Sequence, residues 1–224
     1  MKAILSYSFI CWLVMCASGF AEDMTMIQLQ DTGEVLINPG MGWTMHFYSN
    51  VARNYGSKLE PSDTLDDFPG LSTVYLRLPW SYLEPEEGKH NWAILDTPAQ
   101  RWIAKGKKIA LRITCSENWM TYATPKWVKD AGAKGTHYQY GKGRTKDEGP
   151  WDPFFDDPVF LEKLEAFLAT YAKRYDGNPN VEFVDVGTYG LWGEGHTHAS
   201  SKQDRIELRK LRIALQAEVT EKAP

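Results

Sequence analysis

Apolar residues fall along this chain in two alternating patterns. Short runs rich in β-branched and aromatic residues read as strands: Val35 to Ile37 with Thr44 to Tyr48 after an Asn38-Pro39-Gly40 turn, Thr73 to Leu78, Lys108 to Thr114, and Val181 to Asp185. Between them, apolar residues recur at every third or fourth position, the spacing of one helix face. One such stretch starts within Ser81 to Asp96 and runs to Lys105, where Gly106 closes it. Another opens on Asp157-Pro158, an N-cap followed by proline in the first turn, and presents Phe160, Leu164, Phe167, Leu168 and Tyr171 on one side. The last covers Ser201 to about Glu218.

Strand and helix in alternation, with apolar strands, predict a parallel sheet covered by helices. A doubly wound sheet and a (β/α)8 TIM barrel both satisfy that pattern. No G-x-G-x-x-G follows the first strand and no phosphate-binding lysine loop is present, so no nucleotide cofactor is expected. Polar and aromatic residues gather after each strand, where a barrel builds its active site, and this favours the barrel. Four strand and helix units are counted, against eight in a barrel of about 250 residues. The chain is therefore read as the first four β/α units, the N-terminal half of such a domain. Between Cys115 and Asp157 lie roughly forty residues of weak periodicity, expected to form a functional loop. Within it, Pro125 to Ala131 has the character of a short helix.

Composition adds a location and excludes some partners. Residues 1–21 carry one Lys, an apolar run from Ile4 to about Ala17, and Gly19 and Ala21 as a cleavage-type ending. That is the form of a secretory signal, which makes residues 22–224 the mature domain, secreted or periplasmic and without a membrane span. Cys11 and Cys16 leave with the signal, so Cys115 has no intrachain partner for a disulfide. A formal charge of −4 without a basic block argues against nucleic acid. Nine Trp and eleven Tyr offer flat apolar faces of the kind that stack on sugar rings.

The candidate chemistry centres on Val181 to His198. A strand read as buried runs into Gly187, Gly190, Gly193 and Gly195, among which stand Tyr189, Trp192, Glu194, His196 and His198. Arg77 and Arg112 each sit near the end of a strand, and a buried guanidinium needs a carboxylate or a hydroxyl-rich ligand. Asp185 is expected to pair with Arg112. Glu117 is the other carboxylate close enough in the pattern to partner Glu194, although a solvated loop position is its simpler reading. Glu194, His196 and His198 could alternatively ligate a metal, since imidazole with carboxylate is ordinary zinc chemistry.

Residues 75–96 then carry a recognisable pattern. Arg77, Trp80, Glu84-Pro85, Gly88, Trp92 and Leu95-Asp96 resemble the R-x-x-W…EP-x-x-G-x-x-x-W-x-x-L-D segment after the second strand of β-galactosidase-like TIM-barrel glycoside hydrolases. Gly190 to His196, GLWGEGH, is similar to the end of the fourth strand in the same clan, and especially to secreted bacterial barrel proteins with a G-x-W-G-E-x-H signature. The resemblance implies a glycoside hydrolase acting on carbohydrate. It places Glu194 as general acid/base, Arg77 as a residue orienting a catalytic carboxylate, Trp43, Trp80 and Trp119 along a sugar subsite, and His196 on substrate. Trp192 and Tyr189 would wall the acid/base. Gly193 stands where the clan has Asn. The clan takes its nucleophile from the seventh strand, which implies a second carboxylate outside these four units. A carbohydrate-binding barrel without turnover is the alternative.

Overall fold

A computed structural model describes residues 27–28, 30–33, 41–48, 68, 70–141, 146–203 and 206–221. The expected signal over residues 1–21 and the Val35 to Ile37 run lie outside the described residues. The backbone divides into a short unit, Met1–Val35, and a larger one, Leu36–Pro224. The larger unit runs β1 (Trp43–Tyr48), β2 (Leu71–Pro79), α1 (Trp80–Leu83), α2 (Ala93–Ile103), β3 (Lys108–Thr114), α3 (Lys126–Asp130), β4 (Gly135–His137), β5 (Trp151–Pro153), α4 (Pro158–Tyr175), β6 (Val181–Asp185) and α5 (Ile206–Glu221). Among the described residues no helix is long and apolar enough to cross a membrane.

Strands β1, β2, β3 and β6 form one parallel sheet in that order. Each main-sheet strand lies beside the one before it, with no reversal. A doubly wound sheet reverses its strand order near the middle, whereas a barrel adds strands in chain order. The described residues thus hold four successive parallel strands of a (β/α)8 architecture, with helices after β2, β3 and β6. The long segment after β3 is less irregular than its sequence suggests. It holds α3, where a helix was expected, and the antiparallel pair β4–β5.

Strand alternation sorts the two faces of the sheet. Val74, Leu76 and Leu78 of β2 and Ile109, Leu111 and Ile113 of β3 are buried in the main core with Leu95, Trp102, Phe160, Leu164 and Phe167 from the helices. The opposite face is polar toward its C-terminal end, because Arg77 is level with Arg112 and Arg112 with Asp185 in the strand register. One step earlier, Tyr75 is level with Ala110 and Ala110 with Phe183. The reading of β6 as a buried strand is corrected here. Among the described residues nothing pairs with its second edge, and Phe183 is 45% exposed. A cleft of about 430 Å³ between α4 and β6, lined by Leu168, Tyr171, Tyr175, Val181, Phe183 and Val184 among others, runs along that edge.

The 75–96 segment is largely structural. Glu84 accepts from Trp80 Nε1 at 2.8 Å and from the Gly88 backbone N–H at 2.8 Å, so one buried carboxylate closes the E-P-x-x-G turn onto α1. Asp96 accepts from Tyr175 at 2.9 Å and from Arg174, fastening α2 to the end of α4. Trp80, expected along a sugar subsite, is instead 0% exposed and stacks on Phe167 at 5.1 Å. It continues the parity of Leu76 and Leu78, which points it under the helices. Trp43 is also displaced from that role. It is level with Leu71 at the first position of β2, the end of the sheet remote from the arginines, and is 66% exposed beside Phe68.

After β6 the glycines allow backbone to pass backbone. Gly193 has φ +73°, and a Cβ there would lie 2.3 Å from the Gly187 carbonyl oxygen. An Asn at this position has no room. Two stability effects follow. Asp157 accepts from the N–H groups of Val159 and Phe160 at 3.0 Å each, so Asp157→Ala should cost about 1 kcal/mol and Asp157→Asn much less, read as the urea midpoint at constant m. Gly88 has the same φ as Gly193 with nothing within 4 Å of its absent Cβ. Gly88→Ala should therefore cost about 1–2 kcal/mol through backbone strain alone, and Gly193→Ala about 3 kcal/mol or more in the same assay, since a clash is added.

Candidate active site

Two guanidiniums at matched register would repel unless anions lie between and beside them. Arg112 Nε is 3.3 Å from Asp185 Oδ2, as expected from the sequence. The carboxylate of Asp185 also accepts from the Tyr75 hydroxyl at 2.5 Å. That bond, with burial as the larger cause, holds the Tyr75 phenol well above its usual pKa. His46 stacks on Tyr75 at 5.3 Å, and its pKa is lowered by partial burial first and by the charges of Arg77 and Arg112 after it.

Glu194 supplies the second anion. Its Oε1 lies 3.6 Å from Arg77 Nη1 and 3.8 Å from Arg112 Nη1, and its Oε2 lies 3.7 Å from His196 Nε2. The side chain is 42% exposed, so the carboxyl faces solvent while its inner oxygen faces the arginines. Several backbone bonds place it there. Leu191 N–H donates to His196 O at 2.7 Å, Gly195 N–H to Tyr189 O at 3.0 Å, and Glu194 N–H to Leu191 O at 3.0 Å. Arg112 Nη2 also donates to the Gly193 carbonyl at 3.0 Å. The strand-end arginine therefore positions both the loop and its acid.

Trp192 has φ +58°, a left-handed conformation that costs a bulky residue about 1–3 kcal/mol. The loop after β3 holds it. Its backbone N–H donates to Ser116 O at 2.8 Å, and its indole donates to Asn118 Oδ1 at 3.2 Å. The ring meets Tyr140 at 5.8 Å and His196 at 6.1 Å, both edge-on. Tyr189 is not a wall of this site. It is buried, packs edge-on against Phe155 at 5.0 Å, and donates its hydroxyl to Gln203 O.

Glu117 is not a solvated loop residue. It is 1% exposed, accepting from Thr114 Oγ1 at 2.7 Å and from Trp119 Nε1 at 2.9 Å. Burial pushes its carboxyl up to about 7, against the opposing pull of those two bonds and of Arg77 and Arg112. Trp119 is half-buried, with Tyr82 at 6.3 Å. A second buried carboxyl, Asp152 of β5, accepts from Ser116, the residue before Glu117. Burial raises it to about 6.

Of the residues singled out in the sequence, Arg77, Arg112, Glu194 and His196 thus come together. Trp192 joins them at His196, and the loop from Ser116 to Trp119 joins them through Trp192 and through the arginines. Asn118 and Thr114 were not foreseen, because small polar residues after a strand carry no marker of what they will bond. His196 and His198 lie 6.2 Å apart by ring centroid, nearly perpendicular. Among the described residues no three His, Cys, Asp or Glu side chains gather as a metal ligand set.

Comparison with known proteins bears on this arrangement. A β-galactosidase from Thermus thermophilus is 29% identical over 109 residues, covering 48% of this chain and 16% of the relative. The β-galactosidase BgaA of a Thermus species is 29% identical over 126 residues, covering 55% of this chain and 19% of the relative. The chain therefore matches less than a fifth of the length of either. Among solved structures, a β-galactosidase from the psychrophilic Marinomonas ef1 is 23% identical, with a TM-score of 0.40 over 58% of this chain and 18% of that one. The family model described as β-galactosidase, glycoside hydrolase family 42, matches residues 68–192, the span from the approach to β2 through Trp192. That is more than half of the chain, and the protein belongs to this β-galactosidase family.

Proposed function

We propose that this chain supplies the acid/base side of an exported glycoside hydrolase, with Glu194 protonating the leaving oxygen and then activating water. The observation that carries this reading is the setting of Glu194. It stands beyond the C-terminal end of β6, half-exposed, with Arg77 and Arg112 against one oxygen and His196 against the other. A general acid must reach the glycosidic oxygen from a fixed position. The arginines fix one carboxyl oxygen and leave the other on the solvent side.

Glycoside hydrolysis needs a second carboxylate, about 5–5.5 Å away for retention or about 6.5–9.5 Å for inversion. Asp185 is committed to Tyr75 and Arg112. Glu117 is buried with both oxygens bonded. The nucleophile on this reading comes from barrel strands other than the four described. Of the tryptophans expected at the site, Trp119 and Trp192 supply aromatic faces for the sugar on this reading, and Trp43 and Trp80 do not. The matched relatives are β-galactosidases, which makes β-galactosides the first substrate class to examine.

The test is the leaving-group dependence of Glu194→Gln in the full-length protein. Turnover of alkyl β-galactosides, which need protonation, should fall by about 10²–10⁴-fold. Aryl galactosides with acidic phenols should lose much less in the first step, and substrate binding should persist. An equal loss across leaving groups, or unchanged turnover, would remove Glu194 from the acid role. Binding without turnover in the unaltered protein would make it a carbohydrate-binding barrel.

A further inference from the structure

The loop from Thr114 to Trp119 contains a carboxyl that the acid/base chemistry does not use. Glu117 is turned away from solvent, and both of its carboxyl oxygens are bonded. Thr114 at the end of β3 holds Oε1, and the indole of Trp119 holds Oε2. The residues on either side of it, Ser116 and Asn118, hold the backbone and the indole of Trp192. One four-residue segment therefore fixes two tryptophans, one through a buried anion or acid and one against a left-handed backbone. A surface tryptophan needs none of this.

We propose that Glu117 is a positioning residue for sugar binding, holding the Trp119 indole at a fixed angle beside the Glu194 site. The proposal rests on the glycoside reading of that site but assigns a residue and a task that the acid/base role does not require. Specificity for a ring orientation follows from fixed platforms, because an indole free to rotate about its side-chain torsions loses more entropy on binding than one already held. The groups that face Glu117 are Thr114 and Arg112 of β3, Arg77 of β2, Trp119 of its own loop and Tyr138 after β4, whose hydroxyl donates to the Glu117 carbonyl at 3.4 Å. Of these the two arginines are cations that also contact Glu194.

Replacement separates the geometric task from the charge. A glutamine at position 117 can accept from Trp119 through its oxygen and donate to the Thr114 hydroxyl through its amide, so Glu117→Gln keeps the brace and removes the titration. Alanine leaves both donors unpaired. Binding of isopropyl β-thiogalactoside, which is not hydrolysed, should weaken about tenfold in Glu117→Ala and by no more than about twofold in Glu117→Gln. Tryptophan emission of the full-length protein should titrate with a midpoint near 7, set by the Glu117 carboxyl. That step should vanish in Glu117→Gln and in Trp119→Phe, and survive in Trp43→Phe. Alanine binding the thiogalactoside as tightly as the unaltered protein, or a step near 7 that persists in Glu117→Gln and in Glu117→Gln/Asp152→Asn, would overturn the proposal, Asp152 beside Ser116 being the other raised carboxyl at this loop. If the unaltered protein binds no galactoside while the emission step tracks Glu117 and Trp119, the contact stands and its role in sugar binding falls.

Discussion

Two arginines on neighbouring parallel strands, level with each other, set the terms for this site. Arg77 and Arg112 are both largely removed from water, and a pair of like charges in that position is unstable without anions to satisfy it. Asp185 meets Arg112 from the next strand at the matching register, and Glu194 meets both from the loop that follows. The sheet thereby converts register into chemistry. Strand pairing that holds the helix-facing core together also fixes where the carboxyl of Glu194 must lie.

The glycine loop is the second half of that arrangement. To bring Glu194 back over the strand ends, the backbone at Gly193 must pass Gly187 with no room for a side chain, while Arg112 holds the Gly193 carbonyl. The neighbouring Trp192 adopts a left-handed conformation because the loop after β3 bonds both its N–H and its indole. Strain at one residue is thus offset by bonds from another strand's loop, an arrangement expected where a side chain must be aimed rather than merely accommodated.

Much of the fold was legible in the chain. The strands β2 and β3 and the helix α4 came from period and capping signals that the structure keeps, and the Asp185–Arg112 pair followed from the need of a strand-end guanidinium for an anion. Reading two-residue parity further would have gone beyond this. Arg77 shares a face with Tyr75, while Trp80 continues the Leu76 and Leu78 row and so belongs under the helices. A motif match places residues near one another along the chain without saying which face each occupies, and this is why Trp80 and Tyr189 were assigned to the site. Trp43 failed for a different reason. It opens β1, and in a parallel sheet all strand starts lie at the end away from the strand-end arginines, which the motif-based assignment to a sugar subsite did not take into account. The burial of Glu117 had no sequence marker either: Thr114 and Trp119 stand beside it in the chain, but Tyr138, which donates to its carbonyl, arrives from a later segment.

The central claim is that the strand-end cluster around Glu194 is where a glycoside is bound and cleaved. A crystal structure of the full-length Glu194→Gln protein with an intact β-galactoside tests it most directly. The account predicts the glycosidic oxygen within hydrogen-bonding distance of the residue 194 amide, with the sugar flanked by Trp192 and Trp119. A sugar seated instead at the opposite end of the sheet, against Trp43 and Phe68, would contradict it.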